Sequence, residues 1–266
     1  MDPGPASTIP CLADQLKRAG IGRIDHVLLT HIHLDHAGGA GHLLRHFPEA
    51  KVNCHPKGIP HLVAPQKLWD ESRKVLGKVA EAYGEMAPVP EASISWQERI
   101  PAGGSLVEAI ETPGHAAHHV SYRAGDILFA GEVAGVYVPL DNGFYCRPAT
   151  PPPFHHGIFR DSIDRLAALD TRLVCLGHYG SRQDGTEIFE RARRQLDVWV
   201  DAALRHFRKG SEPFAEAVLA DLIAGDPDMA GWHSLPGDIQ SRERTFCFNS
   251  IRGIRMYLEK AEAGKL

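Results

Sequence analysis

The feature that most constrains this chain is the hexapeptide His31-Ile32-His33-Leu34-Asp35-His36, which follows directly on the apolar run Ile24 to Thr30. A nearly continuous apolar run with β-branched residues reads as a strand buried on both faces. Three imidazoles and a carboxylate therefore stand at the end of a strand, in a spacing that chance rarely produces. In an extended or tightly turning loop, residues two apart can point to one side. His31 and His33 can then hold one metal while Asp35 and His36 face a second position. Zinc accepts neutral imidazole and carboxylate and keeps an open position where it is catalytic.

The surrounding pattern is α/β. The opening Asp2-Pro3-Gly4-Pro5 is turn chemistry, followed by a short helix with Leu12, Leu16 and Ile21 on one face and Gly20 as its stop. Helical spacing resumes from His36 to Phe47, and Lys51 to Cys54 reads as a second strand. Residues 57 to 84 read as largely helical. Strand-like segments then cluster at Leu106 to Glu111, Val120 to Arg123, Ile127 to Ala130 and Val136 to Pro139, which suggests an antiparallel stretch. A Pro-rich loop, Pro148 to Pro153, precedes a helix from about Gly157 to Leu169 and a strand from Leu173 to Leu176. Beyond Gly185 the chain reads as helix, the first one running to about Arg208.

Length and composition narrow the function. With 266 residues, 43% of them hydrophobic, the chain can bury one large core without staples. A net charge of −4 and the lack of a basic stripe argue against nucleic acid and for a small-molecule substrate. The five cysteines are scattered and form no C-x-x-C pair, so neither a disulfide framework nor a thiolate zinc site is suggested. No apolar stretch is long enough to span a membrane, and no secretory signal is recognisable, so a cytoplasmic protein is expected.

Six adjacent residues cannot complete two coordination shells. Three later places offer ligands, each at a strand end: His115 in Thr112-Pro113-Gly114-His115, Glu132 in Ala130-Gly131-Glu132, and His178 in Leu176-Gly177-His178. Loops at strand ends are where scaffolds usually carry function. Several other residues have plainer readings. His26 and Cys175 read as core, His118 as surface, and His119 as structural or supporting a ligand. Arg191, Arg193 and Arg194 read as a solvated helix face beside Glu187 and Glu190. His155 and His156 are candidates for a substrate entrance. Tyr179, next to His178, either donates a hydrogen bond to a developing oxyanion or packs against its strand.

The ordered set H-x-H-x-D-H, T-P-G-H, a strand-end acidic residue after glycine, and a late G-H resembles the metallo-β-lactamase-fold hydrolase superfamily, from Asp2 to about Gly180. The resemblance implies a four-layer αββα sandwich, with shortened N-terminal strands here and a helical C-terminal extension. Its boundaries would be a catalytic domain at 1–183 and helices at 184–266 packed on the same domain. It implies a binuclear centre with two divalent ions, zinc first, iron or manganese as alternatives. Carried over by position, His31, His33 and His115 would bind one metal and Asp35, His36 and His178 the other, with Glu132 as the bridge. The family usually has Asp at that last place. Glutamate is one methylene longer, so bridging needs a compensating backbone shift. The missing opening strands are expected to reflect a shortened chain first, with replacement by later segments, or an exposed edge that a second copy covers in a homodimer, as alternatives.

The activity implied is hydrolysis of a small-molecule ester, thioester or lactone by a metal-bound hydroxide, with Asp35 orienting the nucleophile and relaying its proton and Tyr179 assisting. Two alternatives stand beside it. One is non-haem iron redox chemistry of the sulfur-dioxygenase kind, with His33, His115 and Glu132 as a facial triad. The other is a metal-binding relic with negligible turnover.

Overall fold

The computed structural model describes residues 1–265. By its contacts the chain divides into two compact units, residues 1–111 with 118–125, and residues 112–117 with 126 onward. The boundary expected near residue 183 lies inside the second unit.

The first unit begins with α1 (Ile9–Arg18) and β1 (His26–Leu28), then α2 (Leu34–Ala37), α3 (Ala40–His46) and β2 (Lys51–Asn53). Helices α4 (Ile59–Val63), α5 (Gln66–Leu76) and α6 (Lys78–Tyr83) follow, then β3 (Ile94–Ser95), β4 (Arg99–Ala102), β5 (Ser105–Glu111) and β6 (Val120–Ala124). Strands β1, β2 and β3 form a parallel sheet, as a β-α-β beginning requires. Strands β4, β5 and β6 form an antiparallel meander. One core holds the unit together, with Ile9, Leu29, Leu34, Val52 and Leu62 almost wholly removed from water. Tyr122 of β6 is fully buried, and its hydroxyl meets the Leu29 carbonyl at 3.0 Å and the Asn53 amide at 3.2 Å. These contacts tie the meander to the parallel sheet and satisfy a phenol that would otherwise be costly to bury.

The structure differs locally from the sequence reading in two places. The run Ile24 to Thr30 yields a strand of only three residues, and just past it the Thr30 amide, facing away from β2, donates to the Asp2 carboxylate at 2.7 Å. The expected helix from His36 to Phe47 is two short helices, interrupted at Gly38-Gly39.

The second unit contains β7 (Ile127–Gly131), β8 (Val136–Leu140), β9 (Gly143–Arg147), α7 (His156–Ala167), β10 (Leu173–Leu176) and β11 (Ser181–Gln183). It ends with α8 (Gly185–Lys209), α9 (Phe214–Gly225) and α10 (Gly237–Glu262), with a 3-10 segment at Pro227–Ser234. Strand β7 pairs parallel with β10, and β10 antiparallel with β11, while β8 and β9 form a hairpin. The strand cluster after residue 105 is thus antiparallel only in part. Helix α8 buries Phe189, Ala192, Leu196, Trp199, Val200 and Ala203, the three-and-four spacing of one helix face. Its buried Gln195 and Trp199 donate to the Asp226 carboxylate at 2.8 and 3.0 Å. The cluster Arg191 and Arg194 is not simply a solvated face: both reach the buried Asp228, at 3.7 and 2.6 Å. Burying that carboxylate would be costly without such partners.

The remaining plain readings also resolve. His26 is half-buried at the start of its strand, and Cys175 is only partly covered. His155 caps α7 by accepting from the Ile158 amide, and His156 pairs with Asp197 at 2.8 Å. Both histidines of the expected entrance therefore have structural work. No helix among the described residues is long and apolar enough to cross a membrane.

Candidate metal centre

In the first unit the contiguous motif spans the exit of β1 and the first turn of α2. His33 occupies the N-cap position of α2 in extended conformation, and Asp35 and His36 lie inside its single turn. The ligand atoms of His31 and His33 lie within 4.8 Å of each other, as do those of Asp35 and His36. The ring centroids of His31 and His33 are 4.5 Å apart, and those of His31 and His36 are 4.1 Å apart.

The orientation of these rings is set by two residues outside the motif. Thr30 Oγ1 meets His31 Nδ1 at 2.9 Å, and Asp2 Oδ2 meets His36 Nδ1 at 3.0 Å. The Asp2 carboxylate also accepts from the Thr30 amide and hydroxyl, both at 2.7 Å. Burial works to raise the Asp2 pKa, but the His36 hydrogen bond and charge and the two Thr30 bonds outweigh it. The carboxyl is held below its usual range and stays ionised. With Nδ1 engaged, Nε2 of His31 and His36 is the atom directed to a ligand role, the arrangement that fixes tautomer and ring plane at metal sites. Asp2 and Thr30 escape a sequence reading. Asp2 signals only a turn, and nothing in a one-dimensional pattern reports that its carboxylate reaches back to residue 36.

His119 is buried with its ring 5.3 Å from that of His31. His118 does not behave as a surface residue. It is half-buried, with its ring 6.4 Å from His31 and 6.2 Å from His33.

In the second unit the three dispersed candidates come together around one carboxylate. Glu132 Oε2 lies 2.7 Å from His115 Nε2, and Glu132 Oε1 lies 3.2 Å from His178 Nε2. His115 Nδ1 donates to the Ala149 carbonyl at 3.1 Å, which again assigns Nε2 to the ligand side. Burial raises the Glu132 pKa, but the two histidines more than offset it, so the carboxyl sits well below the ordinary carboxylate range.

Pairing of β10 with β7 changes register between Cys175 and Leu176, so that Leu176 aligns with Gly131. A side chain at Gly177 would come within 3.2 Å of the Glu132 Cγ and 3.1 Å of the Gly131 carbonyl. A residue without Cβ thus stands beside the Glu132 side chain.

Tyr179 does not pack against its strand. It has φ near +60°, a region unusual for a bulky side chain, and is 43% exposed, with its hydroxyl accepting from Arg242 Nη2 at 2.6 Å.

The donor set fits divalent ions of intermediate hardness: imidazole Nε2 atoms with their Nδ1 atoms hydrogen-bonded, plus ionised carboxylates. The His and Glu cluster can bind metal. The fold and these donors define a class, and the comparisons agree: the family model of the metallo-β-lactamase superfamily matches residues 1–178. The chain belongs to that superfamily and has its fold.

Among similar proteins is the metallo-β-lactamase fold-containing protein ST1585 of Sulfurisphaera tokodaii. It is 32% identical over 167 residues, which are 60% of this chain and 62% of that protein. The chain thus spans less than two thirds of this relative. A hydroxyacylglutathione hydrolase of Acidiphilium cryptum is 31% identical over 236 residues, 85% of this chain and 79% of that protein. The crystal structure of ST1585 superposes with a TM-score of 0.67 at 25% identity, covering 90% of this chain and 82% of that one. A metallo-β-lactamase family protein from Thermus thermophilus superposes with a TM-score of 0.63 at 21% identity, covering 96% and 81%.

Proposed function

We propose that this protein is a binuclear metallohydrolase acting on a small-molecule thioester, ester or lactone. His31, His33 and His115 would hold one divalent ion, zinc by preference, and Asp35, His36 and His178 a second, with Glu132 available to both. When bound, such a pair supplies a nucleophile at neutral pH and polarises the substrate carbonyl. The carrying observation is the Glu132 carboxylate, which presents one oxygen to each of two histidine Nε2 atoms. Similarity to a hydroxyacylglutathione hydrolase over 85% of the chain favours the thioester within this class.

The chain's own residues do the remaining work. Asp35 accepts the proton of the attacking water and passes it to the leaving group. Asp2 and Thr30 hold the imidazoles of His36 and His31 in one tautomer, so that no reorganisation is needed during reaction. Residues 1–183 carry this machinery, and the helices beyond shape the substrate pocket. The protein works in the cytoplasm on a small molecule, without nucleic acid or membrane partner.

The test is anaerobic purification without added metal, elemental analysis, and assay against thioester, ester and lactone panels with oxygen uptake recorded in parallel. Zinc with thioester hydrolysis and no uptake is expected. Iron with oxygen consumption would replace the hydrolase by a dioxygenase, and full metal loading without turnover would leave a relic.

A further inference from the structure

His178 sits at the tip of a tight reversal between β10 and β11, and the far side of that reversal is lightly held. The Gly177 amide donates to the Gly131 carbonyl at 2.8 Å, and the Leu176 amide to the Gly180 carbonyl at 2.9 Å. Beyond Gly180 the chain enters β11, which has three residues and a ladder with β10 alone. A strand so short frays unless something else anchors it. Yet the His178 imidazole has to keep its place 3.2 Å from Glu132 Oε1.

The second anchor is Arg182, in the middle of β11. Its guanidinium carbon lies 3.8 Å from the centre of the Tyr137 ring. Its Nε is buried without a hydrogen-bond partner, Nη1 donates to the Ser181 carbonyl at 2.8 Å, and no carboxylate pairs with it among the described residues. A half-buried arginine ordinarily takes an acidic partner. Here the face of an aromatic ring fills that role, in a contact that strengthens as water is excluded.

Tyr137 is itself held from behind. It and Phe144 are diagonal neighbours on one face of the β8–β9 hairpin, with ring centroids 5.0 Å apart and planes inclined by 18°. Arg191 of α8 lies over Phe144, 4.4 Å from the ring centre, and reaches the buried Asp228 at 3.7 Å. The opposite face of the hairpin is buried through Val136, Val138 and Tyr145. Strand β8 leaves the turn that follows Glu132, where the Gly135 amide donates to the Glu132 carbonyl at 3.1 Å. The stack therefore ties the strand after His178 to the strand after Glu132, the two residues whose side chains meet.

We infer that Arg182 and Tyr137 are positioning residues for the metal centre, a cation–π clamp that keeps His178 against Glu132 and so sets the affinity for the ion that His178 ligates. Neither side chain touches a reacting atom. The inference rests on the binuclear reading for what His178 binds.

The experiment compares stepwise zinc affinities of the metal-free full chain, by competition with a chelating dye, in wild type, Arg182→Gln, Tyr137→Leu, Tyr137→Phe and the double variant R182Q/Y137L. Phenylalanine keeps the ring face, whereas leucine keeps apolar cover without one. R182Q and Y137L should each weaken one of the two ions by about 10- to 100-fold, the range for groups that orient a ligand, and leave the other unchanged. Y137F should stay at the wild-type values. The double variant should be no worse than the weaker single one, because both singles remove the same contact. Arg172→Gln, which breaks the exposed ion pair with Asp126 beside the other end of β10, should change neither affinity. Circular dichroism checks that each variant is folded. If Y137L is not, Arg182→Lys, which keeps a cation over the ring and should retain part of the affinity, supplies the contrast with R182Q.

A second measurement needs no metal. With histidine isotopically labelled at the ring nitrogens, the metal-free wild type should show the shifts of one His178 tautomer. They should move towards those of a freely averaging imidazole in R182Q and Y137L, and hold in Y137F. Affinities or His178 shifts that stay at wild-type values in R182Q would overturn the clamp, as would a Y137F as impaired as Y137L, losses that add in the double variant, or an equal loss in R172Q. If the wild type takes up a single ion while the His178 shifts still respond to R182Q and Y137L but not to Y137F, the binuclear reading fails and the clamp stands.

Discussion

The two units place ligand candidates in opposite ways. In the first, four of them fall within six residues and are set by one strand exit and one turn of helix, so backbone geometry does most of the positioning. In the second, His115, Glu132 and His178 come from three separate strand ends and meet where the Glu132 carboxylate lies against both imidazoles. A contiguous set needs outside help only for ring orientation, which Asp2 and Thr30 give. A dispersed set depends on the packing of everything that carries it. The difference predicts that the dispersed set fails more completely when one member changes.

The largest effect should follow Glu132→Ala, which removes the carboxylate that touches both His115 and His178. Metal affinity measured by competition with a chelating dye should fall more than the roughly 100-fold upper bound of an outer-shell change. A smaller loss would break the comparison, because the dispersed set would then stand without its shared carboxylate. Next comes Asp2→Asn. An amide nitrogen would face Thr30 Oγ1 and His36 Nδ1, where two acceptor contacts now exist. Metal affinity should drop by about 10- to 100-fold with the fold intact by circular dichroism. A loss exceeding that of Glu132→Ala would show that the contiguous set is the more fragile.

Gly253→Ala probes how far support for the dispersed set extends. His115 leans on the Ala149 carbonyl, and the adjoining Thr150 is bound to Ser250 of α10 through its amide and hydroxyl, at 3.3 and 3.2 Å. A methyl at Gly253 would run into the Thr150 backbone oxygen. Overpacking against backbone should cost about 1–3 kcal/mol in denaturant unfolding, with a modest fall in metal affinity. Unchanged stability would mean that the Pro-rich loop yields freely and does not anchor His115.

The smallest effect serves as the baseline for the second unit. The hydrogen bond from Arg205, at 2.8 Å, holds the half-exposed Asp221 carboxyl below the usual range. A depressed carboxyl pKa contributes stability that is present above the unfolded value and is lost as pH falls through the folded one. Asp221→Asn should therefore cost about 0.2–1 kcal/mol at neutral pH, the range of surface ion pairs. The difference should shrink as pH drops below the ordinary carboxylate value of 3.8. A difference that grows on acidification would contradict the sign.

The same contrast explains what could be read from sequence. The contiguous motif is legible because its chemistry is local, and β2, β5, β7, β10 and α8 announce themselves through apolar periodicity and turn residues. Short strands such as β3 and β11 carry too few residues to show a period. The strand-end ligands of the second unit are legible only as repeated placements, and Gly177 becomes meaningful once the structure sets it beside the Glu132 side chain. Asp2 is invisible for a physical reason. Its role is a hydrogen bond across 34 residues of chain, and sequence patterns report neighbours along the backbone.

The central claim is that the contiguous and the dispersed donors together hold two divalent ions. Native mass spectrometry of the wild-type protein after equilibrium dialysis against zinc tests it most directly. Two ions per chain are expected, falling to at most one in Glu132→Ala. A wild-type protein that saturates at a single ion, or a Glu132→Ala variant that still binds two, would contradict it.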